Sequence, residues 1–167
     1  MCHEASARPR GGGNMWPMIA GLGPVLGEGL LGFFISPTGA TTSWEYRDGA
    51  SYSGANAIQR VDNPYRVQRE RPRVAVLSDT AVASSGEATL IAFRQRPDTR
   101  SFGLPTCGLS TANSPYTLSD GALLNLTTAV TADRTQARYG DQVQADEVIT
   151  DRTELVTRAV AWLQTRR

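Results

Sequence analysis

A short apolar run, Val74-Ala75-Val76-Leu77, breaks into Ser78-Asp79 and then into Ser84-Ser85-Gly86-Glu87, after which a helix-like segment runs from Ala88 to about Arg96. Apolar residues bounded by polar turn residues suit a buried strand. The stretch therefore predicts a strand, a sharp turn and a helix, closed by Phe102-Gly103-Leu104-Pro105-Thr106-Cys107-Gly108. A serine on such a turn projects its hydroxyl from the sheet edge, beside first-turn amides that have no intrahelical partner. Those donors, with the positive end of the helix dipole, suit an oxyanion. The same residues also read as a capping box, in which Ser84 and Glu87 satisfy backbone donors.

Taken together and in order, several motifs resemble the tail-specific (C-terminal processing) serine peptidases, a family that includes the tricorn core protease and retinoid-binding-protein modules. They are Ser84-Ser85-Gly86-Glu87 after a strand, Phe102-Gly103-x-x-Thr106-x-Gly108, and Leu118-Ser119-Asp120-Gly121-Ala122 before a Thr-rich strand. Gly11-Gly12-Gly13-Asn14 looks like the end of that family's glycine-rich oxyanion turn. The resemblance spans roughly Arg10 to Asp146. It implies one α/β domain of the ClpP/crotonase-like type, a mixed sheet with flanking helices, lacking an N-terminal part. Residues 1–10 read as a disordered or unmatched start and 11–167 as a partial catalytic domain. The family's PDZ module has no room in this chain.

The resemblance assigns Ser84 as nucleophile, with Ser85 as its competitor. The backbone amides of Ser85 and Gly13 would form the oxyanion hole, Thr106 and Gly108 would shape the substrate side, and Glu87 would cap the helix. A serine also needs a base. Family members with a Ser/Lys dyad carry lysine in a Thr-x-Gly-Lys setting; here Leu109 stands there and the chain has no lysine, which excludes the dyad. The tricorn-like branch uses an upstream histidine and a glutamate before a Tyr-Gly pair. Tyr139-Gly140 is present, but Ala137 occupies the glutamate's place. Asp133, Asp141 or a histidine from an upstream segment remain as bases; His3, the one histidine, lies in the unmatched start.

Composition removes other classes. Net charge is +1, which offers no electrostatic case for nucleic acid or an anionic membrane. No apolar run is long enough to span a bilayer, and Met1 to Arg10 lacks the apolar stretch of a secretion signal. Two cysteines, Cys2 and Cys107, make neither a disulfide framework nor a metal cluster, and Cys107 reads as a packed thiol. No metal or cofactor is implied.

Elsewhere the pattern predicts a helix from Pro17 to about Leu26, strands over Leu30–Ile35, Thr41–Tyr46 and Ser51–Tyr52, and a polar surface loop from Asn56 to Arg73. Trp44, Tyr46 and Tyr52 read as hairpin packing rather than a substrate groove, and the arginines of the loop as a solvated face. Further strands are expected over Arg100–Leu104, Tyr116–Leu118 and Leu123–Val130, with Ser110–Pro115 as a loop beside the active site. An Asp151/Glu154 capping box opens a last helix with Leu155, Val156, Ala159, Val160 and Leu163 on one face. The function expected from the resemblance is peptide hydrolysis through an acyl-enzyme on Ser84, with a peptide or protein as partner. The alternative is a non-catalytic module that binds a peptide or apolar ligand.

Overall fold

The computed structural model describes residues 13–68 and 71–165; the expected unmatched start over 1–10, with His3, lies outside them, as do Gly11 and Gly12. The elements in order are α1 (Met15–Leu26), β1 (Gly29–Ile35), β2 (Thr41–Arg47), β3 (Ala50–Ser53), β4 (Asn56–Arg60), β5 (Val74–Ser78), α2 (Ser85–Ala92), β6 (Thr99–Gly103), β7 (Thr111–Thr117), β8 (Leu123–Ala132), β9 (Glu147–Val148) and α3 (Arg152–Gln164). Helices flank sheets, as the α/β class requires. The antiparallel and parallel strands are divided between two sheets, ordered β4-β3-β2-β1-β8-β7 and β5-β6-β9. The second is parallel throughout.

The main core lies between the sheets. Met15, Ile19 and Leu26 of α1 meet Leu31, Trp44 and Tyr46 of the large sheet, together with Leu90, Ile91 and Phe93 around α2 and Val74 and Val76 of β5. α2 is buried along almost its whole length, including Glu87, as a helix enclosed by other elements must be. A second cluster, with Ala75, Phe102, Ile149, Leu155, Ala159 and Trp162, seals the outer face of the small sheet beneath α3. Trp44 is fully buried and Tyr46 nearly so, while Tyr52 lies under the Arg47 guanidinium at 4.1 Å; the aromatics pack the hairpin, as expected.

Local chemistry sets the joints. Asp48 (φ 47°) and Gly49 (φ 78°) both take the left-handed turn that joins β2 to β3. Gly23 lets α1 lie directly on the Tyr46 ring, because a Cβ there would sit 1.9 Å from it. Asp151 caps α3 by accepting the Glu154 N–H at 2.8 Å.

Five expectations are corrected. The loop from Asn56 contains β4, whose residues are all exposed at the sheet edge and so carry no buried alternation. Ser110–Pro115 is mostly β7, an edge strand where Pro115 is tolerated because no third strand needs its N–H. α2 stops at Ala92, and Gln95 takes φ 58°, which a continuing helix forbids. Of the expected α3 face, Leu155 and Ala159 pack inward, whereas Val156, Val160 and Leu163 are 50%, 43% and 40% exposed; Trp162 takes the inward place. Cys107 is disulfide-bonded rather than a packed thiol.

Candidate active site

β5, α2 and β6 form a parallel strand–helix–strand unit, and Ser84 stands where the carboxyl end of β5 meets the start of α2. Ligands of open α/β sheets bind beyond that strand end. Ser84 has φ 52° and ψ −114°, a conformation a side-chain-bearing residue rarely adopts. Such strain, of order 1–3 kcal/mol, clusters at functional positions and persists only where the surroundings hold it.

The holding group is Glu87, which is fully buried. Its Oε2 accepts the N–H groups of Ser84 at 2.7 Å and Leu109 at 2.8 Å. Its Oε1 accepts the Thr106 hydroxyl at 2.5 Å and the Gly108 N–H at 2.8 Å. Thr106 Oγ1 itself accepts the Val143 N–H at 2.8 Å, which directs its own hydrogen to Glu87. One carboxylate thus ties the serine turn to the 104–109 loop. Two backbone bonds reinforce that tie: Cys107 N–H to the Val82 carbonyl, and Leu104 N–H to the Ser78 carbonyl. The last is a close crossing, since a Cβ on Gly103 (φ 119°) would lie 2.1 Å from Ser78 O.

Gly13, Ser84 and Ser85 come together. They line a cleft of about 430 Å³ with Asn14, Trp16 and Phe34 on one side and Thr111, Ala112, Asn113 and Asn125 from the β7–β8 hairpin on the other. A Cβ on Gly13, whose φ is 137°, would stand 3.9 Å from Ser85 Oγ, so the glycine backbone lies beside the first residue of α2. Ser85 Oγ is buried with no hydrogen-bond partner among the described residues, whereas Ser84 is partly exposed. Thr106 and Gly108 do not line the cleft. Thr106 is fully buried and is tied to the Ser84 turn through Glu87.

No titratable side chain is among the described lining residues. Asp133 is 1% exposed and committed to its own turn: Oδ1 accepts the Thr135 N–H, the Thr135 hydroxyl and the Ala137 N–H, and Oδ2 accepts the Tyr139 hydroxyl. Burial, and then the Asp133 charge, pushes the Tyr139 phenol up to about 12. Asp141 accepts the Gln142 N–H and packs against Gly108, also outside the cleft. Among the other lining residues, Asn14 belongs to the glycine-rich motif, whereas sequence reasoning missed Asn113 and Asn125. Asn14 caps α1 through the Trp16 N–H at 3.1 Å, and its place after three glycines was a readable signal. Nothing in the sequence marks the other two, because the bulged pairing of β7 with β8 decides which side they face.

Comparison with known proteins places the chain. It is 28% identical over 155 residues to the nisin-resistance protein of Lactococcus lactis subsp. lactis, covering 93% of this chain and 47% of that protein. A lipoprotein from Streptococcus agalactiae superposes with a TM-score of 0.70 at 28% identity, over 93% of this chain and 52% of that one. The photosystem II D1 C-terminal processing protease shares the fold, with a TM-score of 0.60 at 22% identity, over 89% of this chain and 36% of its own. The chain thus spans about half the length of the first two relatives. Residues 7–149 match the model of Peptidase family S41, and the chain belongs to that family.

Proposed function

We propose that this chain carries the nucleophile and oxyanion half of a serine-type peptidase site. Ser84 Oγ attacks the carbonyl carbon of a peptide bond, its proton passes to a base, and the tetrahedral oxygen is held by the N–H groups of Gly13 and Ser85. Collapse expels the amine and leaves an acyl-Ser84 ester, which water then hydrolyses. The observation that carries this reading is the left-handed backbone of Ser84 at the start of a buried helix, held by Glu87 and lining one cleft with Gly13. Removing one oxyanion donor costs about 2.7–4 kcal/mol in comparable sites.

No titratable side chain is among the cleft's described lining residues, so this reading takes the base from a group that does not line it. A cleft with the oxyanion donors but no base retains roughly 10³–10⁴-fold catalysis over water. Imidazole supplied in solution should act as the missing base. The test is p-nitrophenyl acetate hydrolysis with and without imidazole, corrected by Ser84→Ala, with the acyl adduct followed by intact mass. An imidazole-dependent, Ser84-dependent rate supports the reading, and equal rates for the two proteins refute it.

The bare lining also favours a second reading, a cleft that binds a peptide without cleaving it. The likeness to a nisin-resistance protein makes nisin one peptide to test. Saturable peptide binding with no Ser84 acylation, even with imidazole, would select this second reading.

A further inference from the structure

Away from the cleft, the C-terminus of α1 and the β2–β3 turn border a cavity of about 1040 Å³ that shares no lining residue with the Ser84 site. Arg71, Arg96 and Arg134 all line it. Arg96 is 7% exposed and donates to four acceptors: the carbonyls of Val25, Pro72 and Pro97, and the Thr99 hydroxyl. Arg134 donates to the carbonyl of Ala92, and its Nε is buried with no partner among the described residues. Two of these acceptors, Val25 and Ala92, lie in the last turns of α1 and α2, where the helix dipole is negative.

That is partial compensation only. The ion pairs among the described residues involve Arg47, Arg94, Arg100 and Arg158, and none reaches this cluster. Burial and then the neighbouring Arg71 cation push the Arg96 guanidinium down. Burial and then Arg96 do the same to Arg134, against a smaller opposing pull from Asp133. Buried charges are ordinarily paired. The cavity's own carboxylates, Glu28 and Asp48, form no ion pair with these arginines among the described residues.

We propose that this cavity is a binding site for a small organic oxyanion, a phosphate or carboxylate, seated on Arg71, Arg96 and Arg134. The planar guanidinium fork matches both groups. A bare ion would leave the cavity largely unfilled, whereas a small organic molecule fits such a volume. Pro24, Pro64 and Tyr65 offer that molecule's body an apolar wall.

The experiment is isothermal titration calorimetry of the chain at fixed ionic strength with pyrophosphate and, separately, citrate, against chloride as control. At least one is expected to bind saturably with a Kd below about 1 mM, and the better ligand tells phosphate from carboxylate. Arg134→Gln and Arg71→Gln, each checked for folding by circular dichroism, should weaken binding by about tenfold or more, the scale of one charge-assisted bond. Arg71 is exposed, so its variant decides the question if Arg134→Gln does not fold. The proposal falls if neither anion gives saturable heat up to about 10 mM, or if folded variants bind as tightly as the parent.

Discussion

Replacing Glu87 with glutamine tests whether one carboxylate holds the serine turn. The substitution keeps shape and volume but turns one acceptor oxygen into a donor. Each oxygen now accepts two bonds, from Ser84 and Leu109 at Oε2 and from Thr106 and Gly108 at Oε1. The gentler amide orientation faces Thr106, whose hydroxyl can turn to accept, and strands the Gly108 N–H. A stranded donor costs about 1–3 kcal/mol, and the surviving bonds lose charge assistance of about 1 kcal/mol each. Relief from burying a charge offsets part of this. The net loss is about 2–4 kcal/mol, a large share of a typical folding stability of about 5–15 kcal/mol. In urea unfolding, with a slope of about 1–3 kcal/mol/M, the midpoint should fall by about 1–2 M. A shift below about 0.3 M would refute the argument, because Glu87 would then be an ordinary helix residue.

Other consequences follow from packing and charge. Gly23→Ala should destabilise by about 1–3 kcal/mol, since its Cβ would meet the Tyr46 ring, despite gaining helix propensity; a higher melting temperature would contradict this. Asp146 is pushed up by burial but pulled further down by the Ser101 N–H and hydroxyl and by Arg94, so its pKa lies below the usual value. Its contribution is therefore full above about pH 4 and is lost as pH falls through the folded value; Asp146→Asn should flatten the acid limb of a stability–pH curve, and an unchanged limb would count against it. For Tyr139, raised to about 12, the sign is opposite: its contribution is full below about pH 10 and lost as pH rises toward 12. Tyr139→Phe should remove that alkaline loss, and its ultraviolet titration should lack the phenol that titrates near 12 in the parent.

The strand–turn–helix unit was legible because its signals are local: an apolar run, a serine turn and a glutamate three residues on. The purpose of that glutamate was only half legible. The Ser84 N–H bond is local, but the bonds from Thr106, Gly108 and Leu109 depend on a loop 19 to 22 residues away. β4 was missed, and β7 was read only at its end, over Tyr116–Leu118, because edge strands exposed to water need no buried alternation. The far wall of the cleft went with them, since Asn113 and Asn125 acquire their position from β7–β8 register. The arginines near residue 70 read as a solvated face, and Arg71 is exposed; that it also lines, with Arg96 and Arg134, a cavity beside the end of α1 and the β2–β3 turn depends on tertiary assembly.

The most direct test of the account is where a fluorophosphonate attaches. Parent chain, Ser84→Ala and Ser85→Ala would be treated with the probe in the presence of imidazole, and the modified residue mapped by peptide mass spectrometry. An adduct is expected on Ser84 in the parent and in Ser85→Ala, and none on this turn in Ser84→Ala. An adduct on Ser85, or a folded parent left unmodified on the turn while other serines react, would contradict it.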